Sequence, residues 1–327
     1  MNTLTLDGCV LAVLRDGTDI EPTLSPRPYL HPVRTLAGVP VTEERPADHL
    51  HHFGVGVAVP DVSGVSFWGG RTFTRDRGSV LLDNHGRQRH VSWLELAADR
   101  RVEALSWTGP DGAEMLSEER TVRAAGLDGR TWVLDVRTQL RNTSGRDLSI
   151  GSPATNGRPG AGYGGLFWRA PVAAAPPAVV GAGGLEGEAA LHGSRAEWLA
   201  LVGGEGAGAA GAAAGEGAGA AGAAAGEGAG GRDAGDGGAT VGGAAGADGA
   251  VGGGWTLLFL QPGEHTDPWF LRAEDYPGVG PALAWDTRLP LPEGGRLERR
   301  LRVAVRDGRA DGAGELAALA EAARDLP

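Results

Sequence analysis

The chain has 327 residues and a net charge of −11, a balance that argues against nucleic acid or an anionic membrane as a partner, because phosphate groups need a basic surface. All 30 basic residues are arginine, so Schiff-base chemistry, a phosphate-loop lysine and a lysine general base are excluded. A single cysteine, Cys9, permits neither an intrachain disulfide nor a thiolate zinc site.

In chain order, "TLTLD" and "VLAVLRD" read as two strands around a Gly-Cys turn, and Cys9, inside an apolar run, is expected to be a buried structural thiol. The N-terminus lacks a basic leader, and no apolar run approaches the roughly 20 residues of a membrane span; a soluble, cytoplasmic protein is expected. "VSWLELAADRRVEALSWTGPDG" reads as two strands closed by a tight turn. "RTWVLDVRTQLRNTSG" alternates Trp132, Leu134, Val136, Thr138 and Leu140 with polar neighbours, the period of a half-buried strand.

Residues 203–254 are almost wholly Gly, Ala and acid, with "EGAGAAGAAAG" at 205–215 repeated at 216–226. Glycine at this density opposes helix by about 1 kcal/mol per residue, and no large apolar residue offers a seam. The segment is expected to be a disordered insert in a surface hairpin between "EWLALVGG" and "GGWTLLFLQPG". Further on, "RLERRLRVAVRDG" alternates Leu297, Leu301, Val303 and Val305 with one apparent irregularity, and "GAGELAALAEAARDLP" has helical spacing. Short strands with turns every 8 to 12 residues predict an all-β fold, a large antiparallel β-sandwich with a short C-terminal helix. Residues 1–327 then form one domain interrupted by 203–254.

Six of the eight histidines fall between residues 31 and 90, and "DHLHH" packs three of them into four positions. His49, His51 and His52 are candidate catalytic residues, with His31 and His90 assisting, because an imidazole with its ordinary pKa of about 6.5 moves protons near neutrality. Four polar side chains in five positions sit poorly in a core, and Gly54 and Gly56 behind them allow close backbone approach. Trp68, Trp168 and Trp269 stand beside Gly or Pro in segments read as loops, where an indole can stack on a sugar ring; Trp132, Trp198 and Trp255 read as core. Arg34, Arg71, Arg158, Arg272, Asn156 and Tyr163 complete a candidate substrate-binding set. The histidine spacing also admits a metal, but it is looser than a helical H-E-x-x-H pattern, and no metal or other cofactor is expected.

The stretches "RPYLHPVRTLAGVPVTEERPADHLHHFGVGVAVPDVSGVSFWGGRTF", "LLDNHGRQRH", "NGRPGAGYGGLFWR" and "DPWFLRAEDYPGVGPALAW" together resemble a bacterial family of unknown function labelled "methane oxygenase PmoA-like". The resemblance implies a soluble β-rich protein connected with sugar catabolism. "LRNTSGRDLSI" and "LPLPEGGRLERRLRVAV" resemble, more faintly, segments of the galactose mutarotase-like sandwich. That resemblance implies fold kinship, although the histidine acid expected after the Asn-Thr turn is replaced by a neighbourhood holding Asn156, and the glutamate base has no counterpart.

These readings converge on a carbohydrate-related enzyme of epimerase or lyase type acting on a sugar or sugar acid through a His/Arg loop site. A non-catalytic sugar-binding module and a His-ligated metal enzyme such as an oxygenase are the alternatives.

Overall fold

The structure, a computed structural model, describes residues 2–204, 253–263 and 265–326. The body of the repeat-bearing insert, residues 205–252, lies outside them. Two sheets dominate. The first has seven strands, ordered Thr3–Leu6, Cys9–Arg15, Tyr29–Val33, Val55–Ala58, Gly165–Arg169, Gly278–Pro281 and Trp269–Arg272. The second has nine, ordered Leu185–Glu186, Ala178–Gly181, Trp198–Gly203, Trp255–Leu260, Arg296–Asp307, Thr131–Asn142, Glu114–Asp128, Arg100–Thr108 and Arg87–Leu96. Neighbours within both sheets pair antiparallel. The fold is thus an antiparallel all-β sandwich.

Alternation in the long strands decides what the two sheets bury between them. Trp132, Leu134 and Val136 share one face of Thr131–Asn142 and join Leu301, Val303 and Val305 of the neighbouring strand in a single core. The first sheet supplies Val55, Val57, Leu166, Trp168, Leu271 and Val279 to the same core. Full burial of an aliphatic side chain contributes about 1.5–3 kcal/mol, so this shared layer is the principal force holding the sheets together. The helix Ala313–Arg324 packs Leu316, Leu319, Ala320 and Ala323 on the opposite face of the nine-stranded sheet, against Val133, Ala200, Leu258 and Ala304.

Three sequence expectations need correction. Cys9 is exposed, because the turn is made by Asp7 and Gly8, both with positive φ, which leaves Cys9 as the first residue after the turn, beside exposed Val10. Trp168 and Trp269 lie in strands, fully buried, with their indole N–H groups donating to Val41 and Ala196 carbonyls; they fill the core and offer no stacking surface. The pairing of Arg296–Asp307 with Thr131–Asn142 runs without interruption. The apparent irregularity is Arg299, which takes a position in the apolar register and is neutralised there by Asp267 at 2.6 Å.

The edge strand Arg87–Leu96 departs from regular pairing twice, between His90 and Ser92 and between Trp93 and Glu95, and it exposes Val91, Leu94 and Leu96. The flanks of the insert form a regular hairpin pairing, from Trp198 opposite Leu260 to Gly203 opposite Trp255.

Candidate functional site

The outer face of the seven-stranded sheet carries Ala58, Phe167 and Phe270, the residues that alternate with the core-facing Val57, Trp168 and Leu271. Trp68, Tyr163, Tyr276 and Trp285 pack over this patch from loops. The histidine segment closes on the same patch. Its chain forms a compact loop in which the Arg45 N–H donates to the His52 carbonyl and the His52 N–H donates to the His49 carbonyl. The fully buried guanidinium of Arg27 holds this loop to the next one, donating to the carbonyls of His51 and Trp68. Gly70, at φ +73°, is required here, since a Cβ would stand 3.0 Å from His51 Nδ1.

The three imidazoles touch one another. His49 stacks on His52 with ring centroids 4.6 Å apart, and His51 meets His52 edge-on at 4.8 Å. Tyr276 lies 4.7 Å from His49 and 5.2 Å from His52, while Phe167 and Trp68 complete the ring contacts of His52. Asp48 Oδ2 accepts a hydrogen bond from His49 Nδ1 at 2.8 Å. That bond holds the Asp48 carboxyl below its ordinary value and leaves His49 Nε2 as the ring's other nitrogen.

Electrostatics divide the trio. Burial, followed by the nearby Arg27 charge, lowers His51 to about 3. Burial and the two neighbouring imidazoles push His52 well below the ordinary imidazole value, so both stay neutral at pH 7. Burial raises the Tyr276 phenol, against the opposing pull of Arg272, Arg169 and Arg158, and keeps it a proton donor. Arg169 sits over the Tyr276 ring at 4.7 Å. Two buried polar atoms in this cluster, His52 Nδ1 and Arg169 Nη1, have no hydrogen-bond partner among the described residues. An unmet buried donor or acceptor costs about 1–3 kcal/mol, and perturbed titratable groups gather where chemistry requires them.

The remaining sequence candidates are distributed as follows. Trp68, Arg71, Asn156 and Tyr163 line one narrow crevice beside the histidines, with a volume of about 10 Å³. Within it Asn156 donates to Asp61, itself paired with Arg288, and Arg71 donates to the Ser79 carbonyl. Tyr163 is buried against Trp68, its phenol raised to about 12 by desolvation. Arg158 is exposed on the neighbouring turn. Arg272 pairs with Glu188 at 3.1 Å, contacts His192 and lies over Phe270. His31 is held by Thr42 and by Glu44, which also accepts from the Tyr29 hydroxyl.

Three candidates are placed elsewhere. Trp269 is in the core, as above. Arg34 donates to the Gly38 carbonyl within its own turn, and its backbone carbonyl accepts from Trp132. His90 belongs to the nine-stranded sheet, where it pairs with Glu103. Sequence reading did not single out Tyr276, Arg169, Arg27, His192 or Glu188. Tyr276 carried a signal, the only tyrosine among acids and glycines in "AEDYPGVG"; the others had none.

Among the described residues no group of three His, Cys, Asp or Glu side chains is placed to hold a metal ion. His49 and His52 present ring faces to each other, 24° from parallel, and do not converge on a common point. Nor is any helix among the described residues long and apolar enough to cross a membrane.

The model of one family matches residues 2–321, nearly the whole chain. The chain belongs to the family of unknown function DUF6807. No curated protein matches it. Among solved structures, this DUF6807 chain is similar to a heparan sulfate lyase HepC mutant from Pedobacter heparinus, with 10% identity over 68% of this chain and a TM-score of 0.25. The chain spans 22% of the length of that structure, and the likeness is too slight to carry over a fold or an activity.

Proposed function

We propose that the protein is a carbohydrate-related enzyme of epimerase or lyase type, acting on a sugar or sugar acid at the histidine cluster. The observation that carries this reading is the Asp48–His49 hydrogen bond beside Tyr276. A carboxylate on Nδ1 fixes the tautomer and orientation of the ring and frees Nε2 to act as a base. His49 removes a proton from the carbon next to a carbonyl or carboxylate. The Tyr276 phenol supplies a proton, either to the opposite face of that carbon, which inverts it, or to a departing oxygen, which completes an elimination.

The enolate formed between these steps needs positive charge nearby. Arg158, Arg169 and Arg272 all act on the Tyr276 phenol; Arg158 and Arg272 hold the substrate carboxylate or hydroxyls, and Arg169 acts from beneath the ring. His51 and His52, both neutral, shape the floor. Kinship with the PmoA-labelled family and with the mutarotase-like sandwich is part of this reading. The two segments that resemble the latter meet through Asn142, which donates to the Leu291 and Pro292 carbonyls. Mutarotase chemistry is not proposed, since the segment after the Asn-Thr turn holds Asn156, bonded to Asp61, in place of a histidine acid, and the glutamate base has no counterpart.

The test is hydrogen–deuterium exchange at carbon in D₂O, followed by NMR over a panel of hexoses, ketoses and hexuronic acids. Exchange next to the carbonyl or carboxylate of one class is expected, with His49→Gln slowing it by about 10²–10⁴-fold at unchanged melting temperature. Exchange indifferent to His49→Gln removes the catalytic assignment. Binding without any exchange makes the site a sugar-binding module instead.

A further inference from the structure

On the other side of the first sheet's early strands lies a cleft of about 830 Å³. It opens between the loop 16–22 and the edge of the nine-stranded sheet and reaches inward to Leu30, Val122 and Val136 of the core. Its volume falls in the range of small-molecule sites, about 300–1,000 Å³. None of its lining residues belongs to the histidine cluster.

One wall of this cleft is built from residues that a sandwich core would not tolerate without cause. Trp93, Glu103 and Arg120 stand opposite one another across three successive strands, and Thr138 follows behind them in the fourth. Arg120 is fully committed. It donates to both oxygens of Glu118, to Gln88 and to the Pro28 carbonyl. Glu118 is equally saturated, accepting also from Trp107 Nε1 and Thr138. Those two charges cancel and satisfy each other.

Glu103 differs. Its Oε2 shares a hydrogen bond with His90 Nδ1 at 3.0 Å, but Oε1 makes no hydrogen bond among the described residues and stands 4.0 Å from Arg120 Nη1. Burial raises the carboxyl above its ordinary value. His90 Nε2 makes no hydrogen bond among the described residues, and the His90 ring lies 4.6 Å from partly exposed Trp93. A free carboxyl oxygen, a free imidazole nitrogen and an indole face therefore share one wall. The lining as a whole holds four arginines and four carboxylates, a balance that gives no net attraction to an ion.

We propose that this cleft is a second ligand site, taking a neutral polyhydroxylated molecule of about one or two sugar rings. Glu103 Oε1 and His90 Nε2 bind hydroxyl groups, and Trp93 packs on the apolar face of a ring, the usual division of labour between polar and aromatic groups in such a pocket. The inference does not rest on the histidine cluster.

Saturation-transfer NMR with glucose, maltose and cellobiose, and with glucuronate as the charged comparison, tests it. At least one neutral sugar is expected to bind, and more tightly than glucuronate. Glu103→Gln, which keeps the size of the side chain and its bond to His90, and Trp93→Ala are each expected to weaken it at least about tenfold, or 1.4 kcal/mol. His49→Gln leaves this binding unchanged, which separates the cleft from the site proposed above. Absence of binding by all three neutral sugars overturns the proposal. So does binding that survives both cleft substitutions, or a preference for glucuronate. A melting temperature for each variant close to that of the parent protein shows that the fold is intact.

Discussion

The imidazole of His52 lies stacked on that of His49, ring centroids 4.6 Å apart and planes inclined by 24°. His52 is also enclosed by Phe167, Trp68 and Tyr276. A charge placed on His52 would be both desolvated and repelled, and stability inherits that conflict.

His51 and His52 have folded values below that of a free imidazole, about 3 for His51 and lower still for His52. The unfolded chain therefore binds protons that the native state refuses. Their contribution to stability is complete above about pH 6.5 and is lost progressively as the pH falls below that value. One pH unit below it, each costs about 1.4 kcal/mol, or roughly 2–4 °C in melting temperature per kcal/mol for a domain of this kind. Thermal unfolding between pH 7.5 and 5.5 should show this slope, ahead of the carboxylate transitions.

Replacing His52 by Phe keeps a ring in the same enclosure and removes the unpartnered Nδ1. His52→Phe should match or exceed the parent's melting temperature at pH 7.5 and show a flatter decline toward pH 5.5. A loss of several degrees at pH 7.5 would mean that the imidazole nitrogen is satisfied after all.

The Glu118–Arg120 pair is among the most deeply buried ionic contacts, at 2.8 Å with 0% and 4% side-chain exposure. Arg120→Met would leave Glu118 charged in the core and should cost about 3–5 kcal/mol in urea unfolding. The double substitution Arg120→Met, Glu118→Leu should recover only part of it: it removes the lone buried charge but leaves Trp107 Nε1, Thr138, Gln88 and the Pro28 carbonyl without these partners.

Gly203 and Trp255 are already opposite one another at the end of a regular antiparallel pair. Replacing residues 205–252 by an Asn-Gly turn should leave the melting temperature within about 3 °C, since closure entropy varies slowly with loop length. Insoluble protein from that variant would assign the insert a structural role.

The strands were legible where one face is buried and the other is not. Trp132, Leu134 and Val136 mark their sheet face through simple alternation. Gly165–Arg169 is buried on both faces, so its alternation vanishes and Trp168 reads like a loop residue beside glycines. Cys9 misled because an apolar run does not disclose which of its ends lies past the neighbouring strand. At the candidate site, the density of "DHLHH" drew attention to three rings that do meet. Tyr276 and Arg169 arrive from more than 100 residues away, and only the pairing of Gly165–Arg169 with Val55–Ala58 and Gly278–Pro281 brings them there. Glu103 and Arg120 occupy the same alternate positions as Leu105 and Val122, so alternation alone would turn them inward, but their own strands do not show which partners would make a buried charge tolerable. Those partners, His90, Gln88 and the Pro28 carbonyl, come from other segments and appear only once the sheet is assembled.

Arg87–Leu96 forms an open rim of the nine-stranded sheet, with three aliphatic side chains exposed along it. A straight strand of that kind offers an unbroken ladder of amide donors and acceptors on which a second chain could zip. The two irregularities at His90–Ser92 and Trp93–Glu95 break the ladder into pieces too short to guide such growth and twist it away from flat stacking. Two misaligned positions on this border thus work against edge-to-edge growth into fibres.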